Sequence, residues 1–258
     1  MSDPNQTIKK THKMKNQGFR ILFLVAAMIG SMQLVGCSKD NAENLLATDD
    51  EFANILEKNS ASATADAILV DSCINSFPVE PLSAAEIDAL TTMREEELLA
   101  KDVYVLMYTL YKVPVFNNIS KSETQHTLAI STLLDKYALS DPAENHVAGI
   151  FVNPDLQALY TSLVAQGNTS LISALTVGAT IEDLDIHDLN THSTTDIDNQ
   201  DILFVFGNLE RGSRNHIRAF NRLLKAKGVT YVPQFISQEY FDQIISSPHE
   251  KGNGGCPQ

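Results

Sequence analysis

Glu123 and His126 stand three residues apart, and Ser213 and His216 repeat that spacing far along the chain. Glu97 stands alone in a similar apolar setting, and Glu182 is followed at the same interval by Asp185. Residues three apart on a helix share a face. Glu123 with His126, and Glu182 with Asp185, therefore point the same way. Carboxylates and imidazoles without thiolates are a donor set for iron or manganese, with zinc also possible. If these groups meet in an apolar interior, unpaired carboxylates are costly there, and a bound cation is the simplest compensation. The candidate metal ligands are thus Glu97, Glu123, His126, Glu182, His216 and Asp185.

Each candidate has a plainer reading. Glu97 belongs to an acidic run, Glu95 to Glu97, of the kind that usually faces solvent, and Glu96 lies on a partly apolar line with Leu99, Val103 and Leu106. Glu123 could close a capping box with Ser120. Asp185 could be an ordinary acid late in a helix, and either histidine could serve packing. Against these stands the coincidence of four seams. His187 falls off its seam, and His146, His192 and His249 fall in loops or the tail.

The elements that must position these groups are helical throughout. Ser83 with Glu86 forms a capping box, and an apolar stripe runs from it through Leu90, Met93, Ala100, Tyr104 and Met107 until Pro114. Further seams pass through Phe116, Ile119, Ile130 and Leu133; through Leu175, Gly178 and Leu189; and through Ile202, Phe206, Leu209 and Phe220. These predict helices over about 83–111, 118–137, 170–189 and 198–227, with a last short one at 237–246. Asn153, Pro154 and Gly167 bracket a shorter helix in the long connection between the second and third. No stretch shows a strong period of two. The expectation is an all-α four-helix bundle with a long crossover between its second and third helices.

The stretches ELLAKDVY (97–104), ETQHTLAI (123–130) and SRNHIRAF (213–220) resemble the first, second and fourth helices of rubrerythrins. Glu182-x-x-Asp185 resembles the additional third-helix carboxylate of that family. The run from Glu95 to about Ile244 is similar to a bacterial family known only as domain of unknown function 2202, which is placed in the ferritin-like superfamily. The resemblance implies a ferritin-like bundle in which two helices each supply Glu and the other two each supply Glu-x-x-His. It implies no demonstrated activity. One position departs from the pattern, because Ser213 stands where the fourth helix should bring a carboxylate. The outcomes are a two-metal site completed by Asp185, a single-metal site, or a vestigial one.

Two metals in such a site would act on dioxygen, peroxide or ferrous iron, as a metal-dependent oxidoreductase of ferritin-like type. Tyr104 could hydrogen-bond a ligand carboxylate or a bound peroxide, or simply pack. No CxxC pair of rubredoxin type is present, so an enzyme would need an external electron donor. The alternatives are a lipoprotein that binds metal without catalysis, and one that keeps the bundle for structure alone.

The N-terminal stretch reads differently. Lys9, Lys10, Lys13, Lys15 and Arg20 precede a short apolar run that ends Leu34-Val35-Gly36-Cys37. This reads as a secretory signal, with an ordinary transmembrane anchor as the alternative, and the cysteine after Leu-x-Gly resembles a bacterial lipobox. Residues 1–36 are read as signal peptide, 37–80 as a lipidated N-terminus and acidic tether with a weak helix at 50–57, 81–247 as the helical domain, and 248–258 as a loose tail. Cys37 would carry lipid and anchor the protein to a membrane, and Ser38 permits an outer-membrane destination in the cell envelope. Cys73 and Cys256 are disulfide candidates in an exported chain. Without residues 1–36, 14 basic and 31 acidic residues remain, a net charge of −17. A surface so acidic repels nucleic acid and anionic lipid, which sets both aside as partners.

Overall fold

The structure is a computed structural model that describes residues 72–252 and 256. The chain divides into two units, Met1–Cys37 and Ser38–Gln258, and every described residue lies in the second. The expected signal peptide, Cys37 and the weak helix at 50–57 lie outside the described residues.

A short helical segment, α1 (72–76), comes first, and Ser83 then sets the first long helix. The Ser83 hydroxyl accepts the N–H of Glu86, and the Glu86 carboxylate accepts the N–H of Ser83. This reciprocal cap satisfies two of the free donors at a helix start, and α2 follows as Ala84–Tyr111. It stops at Lys112, whose left-handed backbone (φ 56°) returns its N–H to the Tyr108 carbonyl. Pro114 then opens α3, Pro114–Lys136. The expected start near 118 is too late. A proline breaks a helix interior but suits a first turn, where its missing N–H has no helical partner.

The remaining helices are α4 (Pro154–Gly167), α5 (Leu171–Thr195), α6 (Gln200–Ala226) and α7 (Gln238–Ser246). Side chains of Asn153, Ser170 and Ser237 cap α4, α5 and α7. The described residues contain no β-strand, and none of their helices is long and apolar enough to cross a membrane.

The long helices form a square in the order α2, α3, α6, α5. Hydrogen bonds fix the direction of each side. Tyr104, late in α2, reaches Gly178, early in α5. Lys136 and Tyr137, at the end of α3, reach Asp201 at the start of α6. With two tight hairpins, every neighbour is antiparallel, so α3 and α5 point the same way. The chain must therefore travel back along the bundle between them. Residues 137–153 and α4, which at 14 residues spans about 21 Å, make that return against α2 and α5.

The crossover is held by side chains of α2. Arg94 pairs with Asp141 at 2.9 Å and donates to the Thr127 carbonyl. Glu95 accepts the N–H groups of Val152 and Asn153, and Asp102 accepts from His146 (2.7 Å) and from the Gly149 N–H (2.8 Å). On α5, buried Asp183 accepts from the Tyr231 hydroxyl and from the N–H groups of Gln234, Phe235 and Ile236. Two apolar clusters result. One surrounds Tyr104, Met107, Phe116, Leu175 and Phe220; the other surrounds Leu90, Met93, Ile130, Leu133 and Phe206. A polar layer lies between them.

The ends are more tightly held than the sequence suggested. Within the expected tether, Cys73 and Ile74 are buried and Lys136 donates to the carbonyls of Ile74 and Phe77. Cys73 is disulfide-bonded to Cys256. In the expected loose tail, Glu250 accepts from Arg214 and Arg218. Arg214 also pairs with Glu210, so the tail adds a second carboxylate to that arginine.

Asp183 offers a test of this scaffold. Asp183→Ala leaves four donors without their acceptor, two of them buried. It is expected to lower stability by about 3 kcal/mol, read from urea unfolding. A loss below about 1 kcal/mol would mean the 231–236 segment is held by other contacts.

Candidate metal centre

The polar layer gathers Glu97 from α2, Glu123 and His126 from α3, Glu182 from α5 and His216 from α6. His126 Nδ1 lies 3.0 Å from Glu97 Oε2 and 2.7 Å from Glu123 Oε2. His216 Nδ1 lies 2.9 Å from Glu123 Oε1 and 3.3 Å from Glu182 Oε2. The two rings stack with centroids 5.7 Å apart. Two groups of potential ligand atoms result, Glu97–Glu123–His126 and Glu123–Glu182–His216, each lying within 4.8 Å of one another. Glu123 belongs to both and turns one oxygen toward each imidazole.

The hydrogen bonding of this layer is incomplete. Both Glu123 oxygens approach the imidazoles out of line for hydrogen bonds, and Glu97 Oε1 and Asp185 Oδ2 also have no partner. Glu97, Glu123 and Glu182 are at most 1 % exposed. Buried carboxylate oxygens without donors are what a cation site requires and what a merely structural cluster avoids. The donor set fits iron, manganese or zinc.

The supporting residues have defined tasks. The Tyr104 hydroxyl donates to Glu182 Oε1 at 2.5 Å and fixes that carboxylate. Its ring packs on Phe220 with centroids 5.5 Å apart, so it both bonds and packs. Gly178 admits Phe220, whose ring would lie 2.4 Å from any Cβ added there. Gly212 admits His126, because a Cβ at that position would lie 2.7 Å from both Cε1 and Nε2 of the ring. Ser213 is buried but turns its hydroxyl back to the Leu209 carbonyl. Asp185 is buried beside the layer, one turn from Glu182, but outside the two groups.

Five of the six expected ligands therefore converge, and Asp185 stands next to them. The sequence reading missed Gly212, although a glycine inside a strong helix costs about 1 kcal/mol relative to alanine and so signals a packing demand. Glu96, which the sequence placed on a partly apolar line, is buried with one oxygen unpaired but stays outside the two groups. His187 hydrogen-bonds Asp188, and His146 and His192 bond Asp102 and Asp196. None of these three joins the layer.

Without a cation, protons take its place. Burial pushes the Glu97 carboxyl up to about 8, although His126 partly offsets the effect. Burial opposes charge on His216, but Glu182 and Glu123 outweigh it and raise the imidazole to about 9. Burial likewise opposes charge on His126, yet Glu123 and Glu97 hold it well above its ordinary value. Burial alone would raise Glu123, but its two imidazoles hold it well below the usual carboxylate range. A protonated imidazole cannot bind metal, so loading must expel protons.

The direction of the pH response follows. Glu97 keeps its proton to about 8 when folded, against 4.5 ordinarily, and His216 to about 9, against 6.5. Both bind more protons in the folded state, so their stabilisation is complete at the acid side and lost as pH rises through 8 and 9. In chelator, the denaturant midpoint is expected to fall between pH 6.5 and 9. Added divalent metal should restore it most at the alkaline end. A midpoint that climbs over this window in chelator would contradict the electrostatics. In a separate test, Gly212→Ala is expected to displace His126 and weaken metal binding about tenfold or more, measured by calorimetry. Unchanged affinity would remove His126 from the ligand set.

Comparisons place the chain among known proteins. A family model described as "Uncharacterized protein domain (DUF2202)" matches residues 86–248. The "Uncharacterized protein MJ0754" of Methanocaldococcus jannaschii is 49% identical over 179 residues, which cover 69% of this chain and 96% of that protein. The crystal structure of the hypothetical protein MJ0754 from Methanococcus jannaschii is similar with a TM-score of 0.66, covering 68% of this chain and 99% of that one. The chain belongs to the family of uncharacterised domains numbered 2202.

Proposed function

We propose that this protein binds two divalent cations, iron foremost, in a ferritin-like carboxylate–histidine centre, and acts as a metal-dependent oxidoreductase on dioxygen, peroxide or ferrous iron. The observation that carries this reading is Glu123, shared by two ligand groups with one oxygen toward each imidazole. Glu97 and His126 would complete one group, and Glu182 and His216 the other. Manganese or zinc suits the same donors. A ferrous pair, when bound, supplies two electrons, which with two protons take dioxygen to hydrogen peroxide, or hydrogen peroxide to water.

The chain's own residues set the charge and shape of the centre. Glu97, Glu123 and Glu182 leave two divalent ions one negative charge short of neutrality. Asp185, a buried acid beside Glu182 with an unpaired oxygen, would supply that charge in place of the carboxylate missing at Ser213. Tyr104 holds Glu182 in position through its hydroxyl. The two apolar clusters exclude water above and below the layer. An external electron donor closes the cycle.

The bundle is taken to be displayed in the cell envelope, anchored through lipid on Cys37 at the outer membrane after removal of residues 1–36. The second reading is a lipoprotein that holds metal without turnover. It is favoured by Ser213, which brings no carboxylate and bonds its own helix.

The full chain, extracted in detergent, is to be titrated with ferrous iron without air and then exposed to dioxygen or peroxide. Two irons per chain, with optical change and turnover, are expected. Glu123→Ala should lose both and Glu182→Ala one. One unreactive iron favours the second reading. No bound metal, with Glu123→Ala as stable as the unaltered protein, removes both readings.

A further inference from the structure

The consecutive residues Glu95, Glu96 and Glu97 are all buried, but they end in three different places. Glu95 holds the start of α4, and Glu97 enters the polar layer. Glu96 does neither. Its Oε2 has no partner, and together with Asp185 it lines a narrow crevice between α2, α4, α5 and the 231–236 segment. Asp185 Oδ2 is likewise unpaired. The rest of the wall is almost wholly apolar: Leu99, Leu159, Leu163, Ile181, Leu184 and Phe235. The one hydroxyl in the lining, on Thr180, is engaged with the Thr176 carbonyl.

The crevice measures about 20 Å³ and is partly open. That is room for a molecule about the size of water or dioxygen. Water needs several polar partners, and apart from the Glu96 and Asp185 carboxylates and the engaged Thr180 hydroxyl the wall offers none. A hydrated cation would meet only the Glu96 and Asp185 carboxylates and shed the rest of its water against apolar side chains, and an anionic substrate would face two acids. A neutral apolar diatomic has little hydration to lose and gains contact with the leucines. Asp185 links the crevice to the centre, because it lines the one and stands beside Glu182 and Glu97 of the other.

The walls are fixed independently of one another. Glu95 ties the start of α4, which carries Leu159 and Leu163, to α2. Asp183 ties the backbone of Phe235 and its neighbours to α5. Two buried, fully engaged carboxylates thus hold an apolar gap open beside two unengaged ones.

We infer that this crevice is a binding site and entry route for dioxygen to the carboxylate–histidine centre. The inference rests on the metal reading given above. Ions must then reach the centre elsewhere, and the side where the edges of His126 and His216 retain some exposure is the available face.

Xenon, an apolar probe of similar size, tests the site without metal. Methyl NMR of the full chain in detergent under xenon pressure is expected to give saturable shifts at Leu99, Leu159, Leu163, Ile181 and Leu184. Leu163→Trp should abolish them. In iron-loaded protein the same variant should slow oxidation by dioxygen about tenfold at unchanged iron content, while Leu163→Ala should not slow it. Leu163→Phe replaces the tryptophan variant if that one does not fold. Absence of saturable xenon shifts overturns the site, and equal oxidation rates with the crevice filled overturn the route. If wild-type protein binds xenon but no iron, the metal reading fails on its own evidence, and the route falls with it.

Discussion

Everything in this bundle is arranged around a carboxylate that cannot be left alone. Glu123 is almost completely buried, with an imidazole on either side and no aligned hydrogen bond to either. In a medium of low polarity such a group demands positive charge within a few ångströms. The imidazoles meet that demand when protonated, and a pair of cations would meet it when they are not. The apolar core divides into two clusters because this layer must sit between them, closed off from water yet itself unlike either neighbour.

Acids adjacent in sequence take on unlike work in this fold. On α2, Glu95 anchors backbone, Glu96 lines an apolar gap and Glu97 faces the centre. On α5, Asp183 anchors backbone, Glu182 faces the centre and Asp185 lies between. Each step along a helix turns the side chain by about 100°, so successive carboxylates look out on different partners. The anchoring acids have their oxygens occupied by N–H and hydroxyl groups, whereas Glu96, Glu97 and Asp185 each keep an oxygen free. Position on the helix, not residue type, separates scaffold from chemistry.

This explains what the sequence could and could not disclose. The seams were legible because apolar spacing and helix caps are local properties: Ser83 with Glu86 and Asn153 with Pro154 perform in the structure as their spacing suggests. The convergence of Glu97, Glu123, His126, Glu182 and His216 followed from seams that face one another. Glu96 showed itself only as a member of a partly apolar line, and the burial of Glu95 was not legible, because the crossover covers it and periodicity says nothing about where a long connection lies. Asp102 was hidden for the same reason, since its partners His146 and Gly149 belong to that connection. Gly212 was overlooked because a glycine in a strong helix signals a packing demand without naming the partner, here the His126 ring against its backbone.

The shared glutamate also makes the two halves of the centre unequal. Glu97, Glu123 and His126 all come from the α2–α3 hairpin, so that group can exist before the second hairpin docks. Glu182 and His216 come from the α5–α6 hairpin and must borrow Glu123 from the first. An ion in the former group stiffens one hairpin, whereas an ion in the latter is a rivet between two. Any breathing that parts the hairpins opens one half of the centre and spares the other. Assembly and release of the two metals would therefore be ordered by topology, even though their ligands are alike.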